Sequence, residues 1–190
     1  MNDHAAWMYF IALVLPPHLD QEILSYKNLM RERFDCKVGL KSPAHITIVP
    51  PFWMEGAQES LLLKDVDVLA GNLAAFAVAT NNFSAFTPRT IFIAVQDNEE
   101  LKRLKKTADD FFKQKAEYKI KIDSRRFHPH ITIATRDLHK KTFQEAWTLF
   151  ETEPFQEQWV ATGLSVLRHN KKNWDIIHTA AFTTPPTQPA

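Results

Sequence analysis

The sequence is organised around the stretch SPAHITIVPPF at residues 42–52, which returns in altered form as FHPHITIATR at residues 127–136. Both stretches contain His-Ile-Thr-Ile, and each has a proline one or two residues before the histidine. In a β-strand, residues i and i+2 point to the same face. His45 and Thr47 are therefore predicted to share one surface, as are His130 and Thr132, with the isoleucines packing on the opposite side.

Composition limits the kind of protein this is. The chain has 190 residues, of which 45% are hydrophobic and 24% charged, with a formal net charge of +1. These values are typical of one globular domain. Proteins that bind long nucleic acids usually carry a clear positive excess, so a long DNA partner is not expected. Cys36 is the single cysteine, which excludes an intramolecular disulfide and fits a reducing compartment.

The apolar stretch AAWMYFIALVLPP near the N-terminus resembles the core of a signal peptide. The preceding MNDH has no Lys or Arg, and no small-x-small cleavage pattern follows. The stretch is also too short to cross a membrane. We interpret it as a buried central strand, and predict a cytoplasmic, monomeric protein that does not associate with membranes.

Hydrophobic periodicity gives the same order of elements around both copies of the motif. Each copy is preceded by a helix, at residues 18–34 and 98–116, and followed by a helix and two strands. Pro50 and Pro51 are predicted to end the first motif strand. Residues 155–169 are predicted to form one strand. We expect a single domain over residues 1–183 made of two related, facing lobes, with a disordered tail at 184–190.

Two facing lobes bring two imidazoles and two hydroxyls to one cleft. One histidine can act as general base while the other, protonated, acts as general acid. The threonine hydroxyls can donate hydrogen bonds to phosphate oxygens. This set suits a phosphodiester and needs no metal. The alternatives are that each histidine is an ordinary half-buried side chain, or that His128 and His130 bind zinc, although no third ligand is evident.

PAHITIVPPF and HPHITIATR resemble the motifs of the two-histidine (2H) phosphoesterase superfamily, which includes bacterial 2′-5′ RNA ligases and cyclic phosphodiesterases. The resemblance extends over roughly residues 7–183 and includes PRTIFIAV before the mid-chain helix. It implies a bilobal α+β fold with a pseudo-twofold axis, in which two antiparallel sheets are backed by helices and the active site lies between the lobes. It also implies catalysis without a cofactor by four residues: His45, Thr47, His130 and Thr132.

The sequence departs from the RNA-ligase-type members of this family in two respects that bear on the substrate. RNA-ligase-type members often have an Arg five positions after the second motif histidine. Here that position is Thr135, and the arginine is Arg136. The first motif continues as VPPFW, as in small phosphoesterase-like members. Recognition of RNA ends in the manner of a ligase is therefore in question, whereas the hydrolytic residues are unaffected.

Residues near the motifs are candidates for binding the substrate. Arg125 and Arg126 precede the second motif and can hold a phosphate, although a surface turn explains them equally well. Phe52, Trp53 and Phe127 flank the motifs and can stack on a base, or pack as core or rim aromatics. The segment KRLKK at residues 102–106 is interpreted as one solvent face of a helix, with Leu101, Leu104 and Phe111 turned inward. Arg168, Lys171 and Lys172 are interpreted as a solvated basic loop. His4, His18, His139, His169 and His178 show no partner pattern and are treated as ordinary.

Three functions remain open from the sequence. The first is a metal-independent phosphodiesterase acting on a 2′,3′-cyclic phosphate or a 2′-5′-linked nucleotide or RNA. The second is a 2′-5′ RNA ligase using the same residues, and the third is a module that binds a nucleotide or RNA end without turnover. In each case the partner is a small nucleotide or an RNA end, and which histidine is base and which is acid stays open.

Overall fold

The computed structural model describes residues 5–122 and 125–183. The predicted tail at 184–190 and His4 lie outside the described residues. Within them the chain forms eight strands and four α-helices. The bounds are β1 Ala6–Val14, α1 Pro17–Phe34, β2 His45–Glu55, α2 Glu59–Ala70, β3 Phe76–Phe86, β4 Thr90–Val95, α3 Glu99–Lys113, β5 His130–Ala134, α4 Phe143–Trp147, β6 Gln158–Ala161, β7 Gly163–His169 and β8 Trp174–Ala181, with short 3-10 turns at Val38–Lys41, Gly56–Gln58 and Ala116–Tyr118.

The strands form two four-stranded sheets, in the orders β2-β1-β7-β8 and β5-β4-β3-β6. Every pairing is antiparallel. The α+β fold with two antiparallel sheets and helices is thus confirmed. In both sheets the strand with the His-Ile-Thr-Ile motif is an edge strand, and these two edges, β2 and β5, contact each other. The sheets therefore present their motif edges to one cleft.

The lobes do not correspond to the two halves of the chain, as the repeated element order had suggested. The first sheet uses strands from both ends of the sequence, whereas the second uses the central strands β3 to β6. The predicted single strand at 155–169 is wrong for the same reason. Its first part, β6, pairs with β3, while β7 pairs with β1 in the other sheet. Strand pairing is decided by contacts distant in sequence, which local periodicity does not report.

The prediction that Pro50 and Pro51 end the first motif strand is also wrong. Strand β2 continues through both prolines to Glu55, with Val49 opposite Ile11 and Phe52 opposite Tyr9. The prolines lie at an irregularity between these pairs. An edge strand with a bulge tolerates proline because the missing N–H faces no partner strand.

The buried side of each motif strand carries isoleucines, as the alternation predicted. Ile46, Ile48, Ile131 and Ile133 are at most 1% exposed and belong to one core. Burying a side chain of this size contributes about 1.5–3 kcal/mol. Helix α1 packs against β5, and α3 packs against β2. Each helix that precedes a motif strand thus lies against the other lobe, which fixes the two strands relative to each other.

Helix boundaries follow their local signals. The side chain of Asn98 caps α3 by accepting a hydrogen bond from the backbone N–H of Leu101. Helix α2 ends at Ala70, with Gly71 at its C-cap. Among the residues that the structure describes, no helix is both long enough and apolar enough to cross a membrane.

Candidate active site

The cleft between the lobes is bordered by the two motif strands. On β2, His45 lies opposite Val14 of β1 and Thr47 opposite Ala12. On β5, His130 lies opposite Ala94 of β4, and Thr132 lies opposite Phe92. All four motif side chains are partly exposed, in contrast to the buried isoleucines between them. The alternation of the strand therefore places an imidazole and a hydroxyl of each lobe on its open face.

The two histidines have the same hydrogen-bonding arrangement. Nδ1 of His45 is 2.8 Å from the carbonyl oxygen of Pro43, and Nδ1 of His130 is 2.7 Å from that of His128. A carbonyl oxygen only accepts, so Nδ1 must carry a proton and donate it in both rings. The lone pair of each neutral imidazole is thereby assigned to Nε2. Both histidines are set in the tautomer that a general base requires.

An aromatic ring from the neighbouring strand supports each imidazole. The ring centroids of Phe10 and His45 are 4.8 Å apart, and those of Phe92 and His130 are 5.0 Å apart. Both phenylalanines are buried. They form an apolar floor that limits rotation of the imidazoles and removes water from one face of each ring.

Two cavities meet at Thr47 and together form the cleft. The first, of about 470 Å³, contains His45, Thr47 and Thr132. The second, of about 420 Å³, contains Thr47 and His130. The structure thus brings the four predicted catalytic residues to one continuous depression between the sheets. Its size matches that of sites for small molecules.

Burial makes His45 a weak proton acceptor. Loss of solvent lowers the pKa of His45 to about 4, with smaller contributions from the positive charge of Lys27 and from a protonated His130, while the Pro43 carbonyl opposes the shift. Burial likewise lowers the pKa of His130, although the carbonyl of His128 opposes this. The positive charge of Lys27 lowers the pKa of His45, and it is not among the causes of the shift at His130. Of the two imidazoles, His45 therefore holds a proton less readily.

Lys27 and Asp20 of helix α1 hold the segment that leads into His45. Nζ of Lys27 donates to the carbonyl oxygen of Ser42 at 3.0 Å, and Oδ1 of Asp20 accepts from the N–H of Ala44 at 2.6 Å. Lys27 is 3% exposed, and burial lowers its pKa to about 8. Neither residue was predicted from the sequence to have a role at the site. A signal existed for Lys27, which follows the buried Ile23 by four positions and precedes the buried Met30 by three.

A second anchor crosses between the lobes. Oδ2 of Asp137, just after β5, accepts hydrogen bonds from the backbone N–H groups of Lys37 at 2.6 Å and Val38 at 2.8 Å. The turn that begins at Val38 leads to the first motif, whereas Asp137 follows the second. The two motif strands are thus linked by a carboxylate that is partly buried and charged, which makes these hydrogen bonds strong.

The predicted substrate-binding arginines lie on the His130 side. Arg125, Arg126 and Phe127 line the second cavity, together with Lys105 of α3. Nζ of Lys105 lies 6.0 Å from the centre of the Phe127 ring. Lys105, which was interpreted as part of a solvent face of the helix, instead pairs with Asp109 and lines the cavity.

Arg136 lines the first cavity beside Thr132 and His45. The one-residue displacement noted in the sequence does not remove an arginine from the cleft, because the chain has left the strand after Ala134. His169 and Trp174 line the same cavity, with ring centroids 5.0 Å apart. His169, which was treated as ordinary from its sequence, thus lies at the cleft. No local pattern indicates its position, which depends on β7 pairing beside β1.

Phe52 and Trp53, which follow one another on β2, have opposite environments. Phe52 is 5% exposed and stacks on Tyr9 in the core, which leaves its ring no free face for a base. Trp53 is 63% exposed. Arg168 is not a solvated loop residue, since it pairs with Glu59 at 2.7 Å.

The His-x-His pair considered for zinc has its ring centroids 6.3 Å apart. Over residues 5–122 and 125–183, no three His, Cys, Asp or Glu side chains are grouped so that they could hold a metal ion.

Sequence comparison gives the family. The family model described as the 2′-5′ RNA ligase superfamily matches residues 15–173, which include both motifs. The chain belongs to the 2′-5′ RNA ligase superfamily. Among curated proteins, none matches the chain.

Solved structures of similar fold extend over nearly the whole chain. The TT0787 protein of Thermus thermophilus is 17% identical with a TM-score of 0.65, covering 93% of this chain and 98% of its own. LigT of E. coli, complexed with 3′-AMP, is 16% identical with a TM-score of 0.63, and the match covers 95% of this chain and 100% of the LigT chain. A protein described as a phosphoesterase is 17% identical with a TM-score of 0.59, and the match covers 94% of this chain and 99% of the phosphoesterase chain. At such identities these likenesses concern the fold.

Proposed function

We propose that the protein is a metal-independent phosphodiesterase that opens 2′,3′-cyclic phosphates or cleaves 2′-5′ linkages by two-histidine acid–base catalysis. The observation that carries the proposal is the matched tautomer of His45 and His130, each of which donates from Nδ1 to a backbone carbonyl. This arrangement directs two Nε2 atoms to proton transfer in one cleft. Superfamily membership supports an enzymatic role.

The roles of the two histidines follow from their surroundings. His45 is the more strongly destabilised as a cation, because it is buried and lies near Lys27. When the pair holds one proton, that proton resides on His130. We infer that His45 is the general base and His130 the general acid in the direction of hydrolysis.

In the hydrolytic step, Nε2 of neutral His45 takes a proton from water while the water oxygen bonds to phosphorus. The bond from phosphorus to the leaving oxygen breaks, and this oxygen takes the proton from Nε2 of His130. The hydroxyls of Thr47 and Thr132 donate to the non-bridging oxygens, whose negative charge grows in the transition state. Charge and protons balance, because His45 ends the step protonated by water and His130 ends it neutral after giving its proton to the leaving oxygen. No step requires a metal ion.

A nucleotide is the ligand that the cavities suit. Basic side chains at both ends, Arg136 in the first cavity and Arg126 in the second, favour a phosphate. LigT of E. coli has been crystallised with 3′-AMP and with ATP, which supports a nucleotide ligand for this fold.

The proposal is tested by hydrolysis of nucleoside 2′,3′-cyclic monophosphates and a 2′-5′-linked dinucleotide. We compare the wild type with His45→Asn, His130→Asn and the control His139→Asn, since the exposed His139 lines neither cavity. Asparagine can retain the donation to the carbonyl but has no Nε2. Each active-site variant should lose activity by roughly 10²–10⁴-fold while still binding nucleotide. Activity that survives both substitutions would contradict the mechanism.

Further measurements distinguish the metal-free phosphodiesterase from a metal-dependent enzyme, an RNA ligase and a binding module. A chelator should leave turnover unchanged, and loss that zinc restores would contradict a metal-free reaction. The superfamily name includes RNA ligation, in which a 5′-hydroxyl would take the place of water. Joining of RNA ends bearing a 2′,3′-cyclic phosphate and a 5′-hydroxyl would show that reaction. Nucleotide binding without turnover of any substrate would identify a binding module.

A further inference from the structure

A third cavity lies outside the catalytic cleft, at the far end of β2. It has a volume of about 570 Å³ and is lined by Pro50, Pro51, Phe52, Trp53, Lys119, Lys121 and Ile122. It shares Pro51 with the first cavity and Pro50 with the second. The third cavity is therefore continuous with the cleft, although it contains none of the four motif residues.

Strand register places Trp53 on the face that carries the catalytic residues. Thr47 lies opposite Ala12 of β1, and Trp53 lies opposite Met8. Met8 itself lines the first cavity. From Ala12 to Met8 is about 13 Å along the strand, at roughly 3.3 Å per residue. A base on Trp53 is consequently not the base attached to the reacting phosphate.

The surroundings of Trp53 match the chemistry of a nucleotide. Its indole is 63% exposed, the largest exposed fraction among the large hydrophobic side chains described. Exposed aromatic rings beside basic side chains bind single-stranded nucleic acids, because every base has a face that can stack. Across the described residues, neither Lys119 nor Lys121 has a side-chain hydrogen bond or an ion pair that would neutralise its charge.

The turn that precedes the two lysines is anchored in the core. The preceding turn ends at Tyr118, which is fully buried and donates its hydroxyl to Oδ2 of Asp65 at 2.5 Å. Nζ of Lys115 lies 2.9 Å from Oδ1 of the same carboxylate. This turn packs against β2. The backbone that leads into the two lysines is thereby anchored against β2, the strand that carries Trp53, which reduces the backbone entropy lost when a ligand binds.

We propose that Trp53, Lys119 and Lys121 form a subsite for an additional nucleotide of a single-stranded oligoribonucleotide substrate. The base stacks on the indole, and the adjacent phosphate lies between the two ammonium groups. The inference rests on the proposed function, because the reacting phosphate occupies the cleft between His45 and His130. It makes an RNA end, rather than a mononucleotide, the preferred substrate.

Binding is measured first, with a fluorescent pentaribonucleotide that ends in an unreactive 3′-phosphate. The variants are Trp53→Ala and the double variant Lys119→Ala/Lys121→Ala. Their matched controls are Val160→Ala, at an exposed apolar position on β6, and Lys140→Ala/Lys141→Ala, at an exposed pair after β5. None of the control positions lines the three cavities.

Trp53→Ala should weaken binding of the pentaribonucleotide about 10-fold. The double lysine variant should weaken binding as well and make it less dependent on salt. The controls should bind like the wild type.

Turnover is measured second, as the ratio of kcat/KM for an oligonucleotide with a 2′,3′-cyclic end to kcat/KM for a cyclic mononucleotide. Both subsite variants should lower this ratio about 10-fold. The subsite is refuted if the wild type does not bind the pentanucleotide, if the variants bind it equally well, or if the ratio is unchanged. A Trp53-dependent dimer that excludes the oligonucleotide would also refute it.

The two proposals fail in different ways. If the wild type hydrolyses neither cyclic substrate nor the 2′-5′-linked dinucleotide, but Trp53→Ala still weakens binding, the phosphodiesterase is wrong and the subsite stands. If cyclic mononucleotides are hydrolysed and the ratio does not respond to either variant, the phosphodiesterase stands and the subsite is wrong.

Discussion

Gly39 packs so closely against Ile133 that a Cβ at residue 39 would lie 2.2 Å from the Ile133 carbonyl oxygen. Gly39 belongs to the turn that leads to His45, whereas Ile133 belongs to the strand of His130 and Thr132. The absence of a side chain at this point sets the distance between the two motif strands.

Replacing Gly39 with alanine should separate these strands. The atom that the new methyl group meets is backbone, so the turn or β5 must move. We expect a loss of about 1–3 kcal/mol in the free energy of unfolding, and a fall in kcat of about 10²-fold, since small displacements of catalytic groups are costly. Urea denaturation and hydrolysis of a cyclic nucleotide measure both effects.

Gly56→Ala is the matched control for this substitution. A Cβ there would meet its nearest neighbours at 3.4 Å, which is ordinary contact. Should Gly39→Ala be as stable and active as Gly56→Ala, the close approach would not set the geometry of the cleft.

The extent to which sequence predicted this structure depends on the range of the interactions involved. The motif strands and their isoleucine faces could be predicted, because alternation along a strand is a local property. The partition of β6 and β7 between two sheets could not, since only Thr162 separates these strands and their partners, β3 and β1, are far away in sequence. The predicted catalytic residues come from a repeated local pattern. His169 reaches the same cleft, and Lys27 and Asp137 reach the backbone that leads into the first motif, through contacts between residues distant in sequence.

The pH dependence of kcat/KM should be bell-shaped with an acidic optimum. The base must be neutral, and the pKa of His45 is lowered to about 4, so activity rises as pH increases through that region. The acid must be protonated, and the pKa of His130 is also lowered, so activity falls at a pH below the usual histidine value of about 6.5. Initial rates at low substrate concentration give this profile. An optimum above about pH 7.5 would show that at least one histidine does not titrate as described.

Lys27→Met tests how the lysine influences His45. Removing a nearby positive charge raises the pKa of His45, so the acidic limb of kcat/KM should move to higher pH by up to about one unit. Lys64→Met, on the exposed side of α2, provides a control of equal charge change. A role of Lys27 confined to holding Ser42 would lower activity at every pH without moving the limb.

The hydroxyls of Thr47 and Thr132 should act on the transition state. Valine has nearly the shape of threonine but has no donor, so Thr47→Val and Thr132→Val each remove one hydrogen bond to a phosphate oxygen. We expect kcat to fall about 10²-fold per substitution with little change in KM, because the charge on those oxygens increases during the reaction. Thr179→Val, which removes a hydroxyl that is paired with Ser165 and lines neither cavity of the cleft, is the control. A rise in KM at constant kcat would instead indicate that the threonines bind the ground state.

Stability should fall as pH decreases from about 6.5 towards 4, partly because of His45. The folded-state pKa of His45 is lowered to about 4, whereas in the unfolded chain it is about 6.5. Between these values the unfolded state binds a proton that the folded state does not, so acid favours unfolding. The contribution is at most about 3 kcal/mol, and nearer 1–2 kcal/mol because the imidazole is partly exposed to water in the cleft. Carboxylates that are ionised in the folded state also lose stabilising interactions in the lower part of this range.

Urea denaturation of the wild type and His45→Asn between about pH 7 and pH 4.5 separates the contribution of His45 from that of the carboxylates. The variant should lose less stability than the wild type, and equal slopes would show that His45 is protonated as easily when folded as when unfolded.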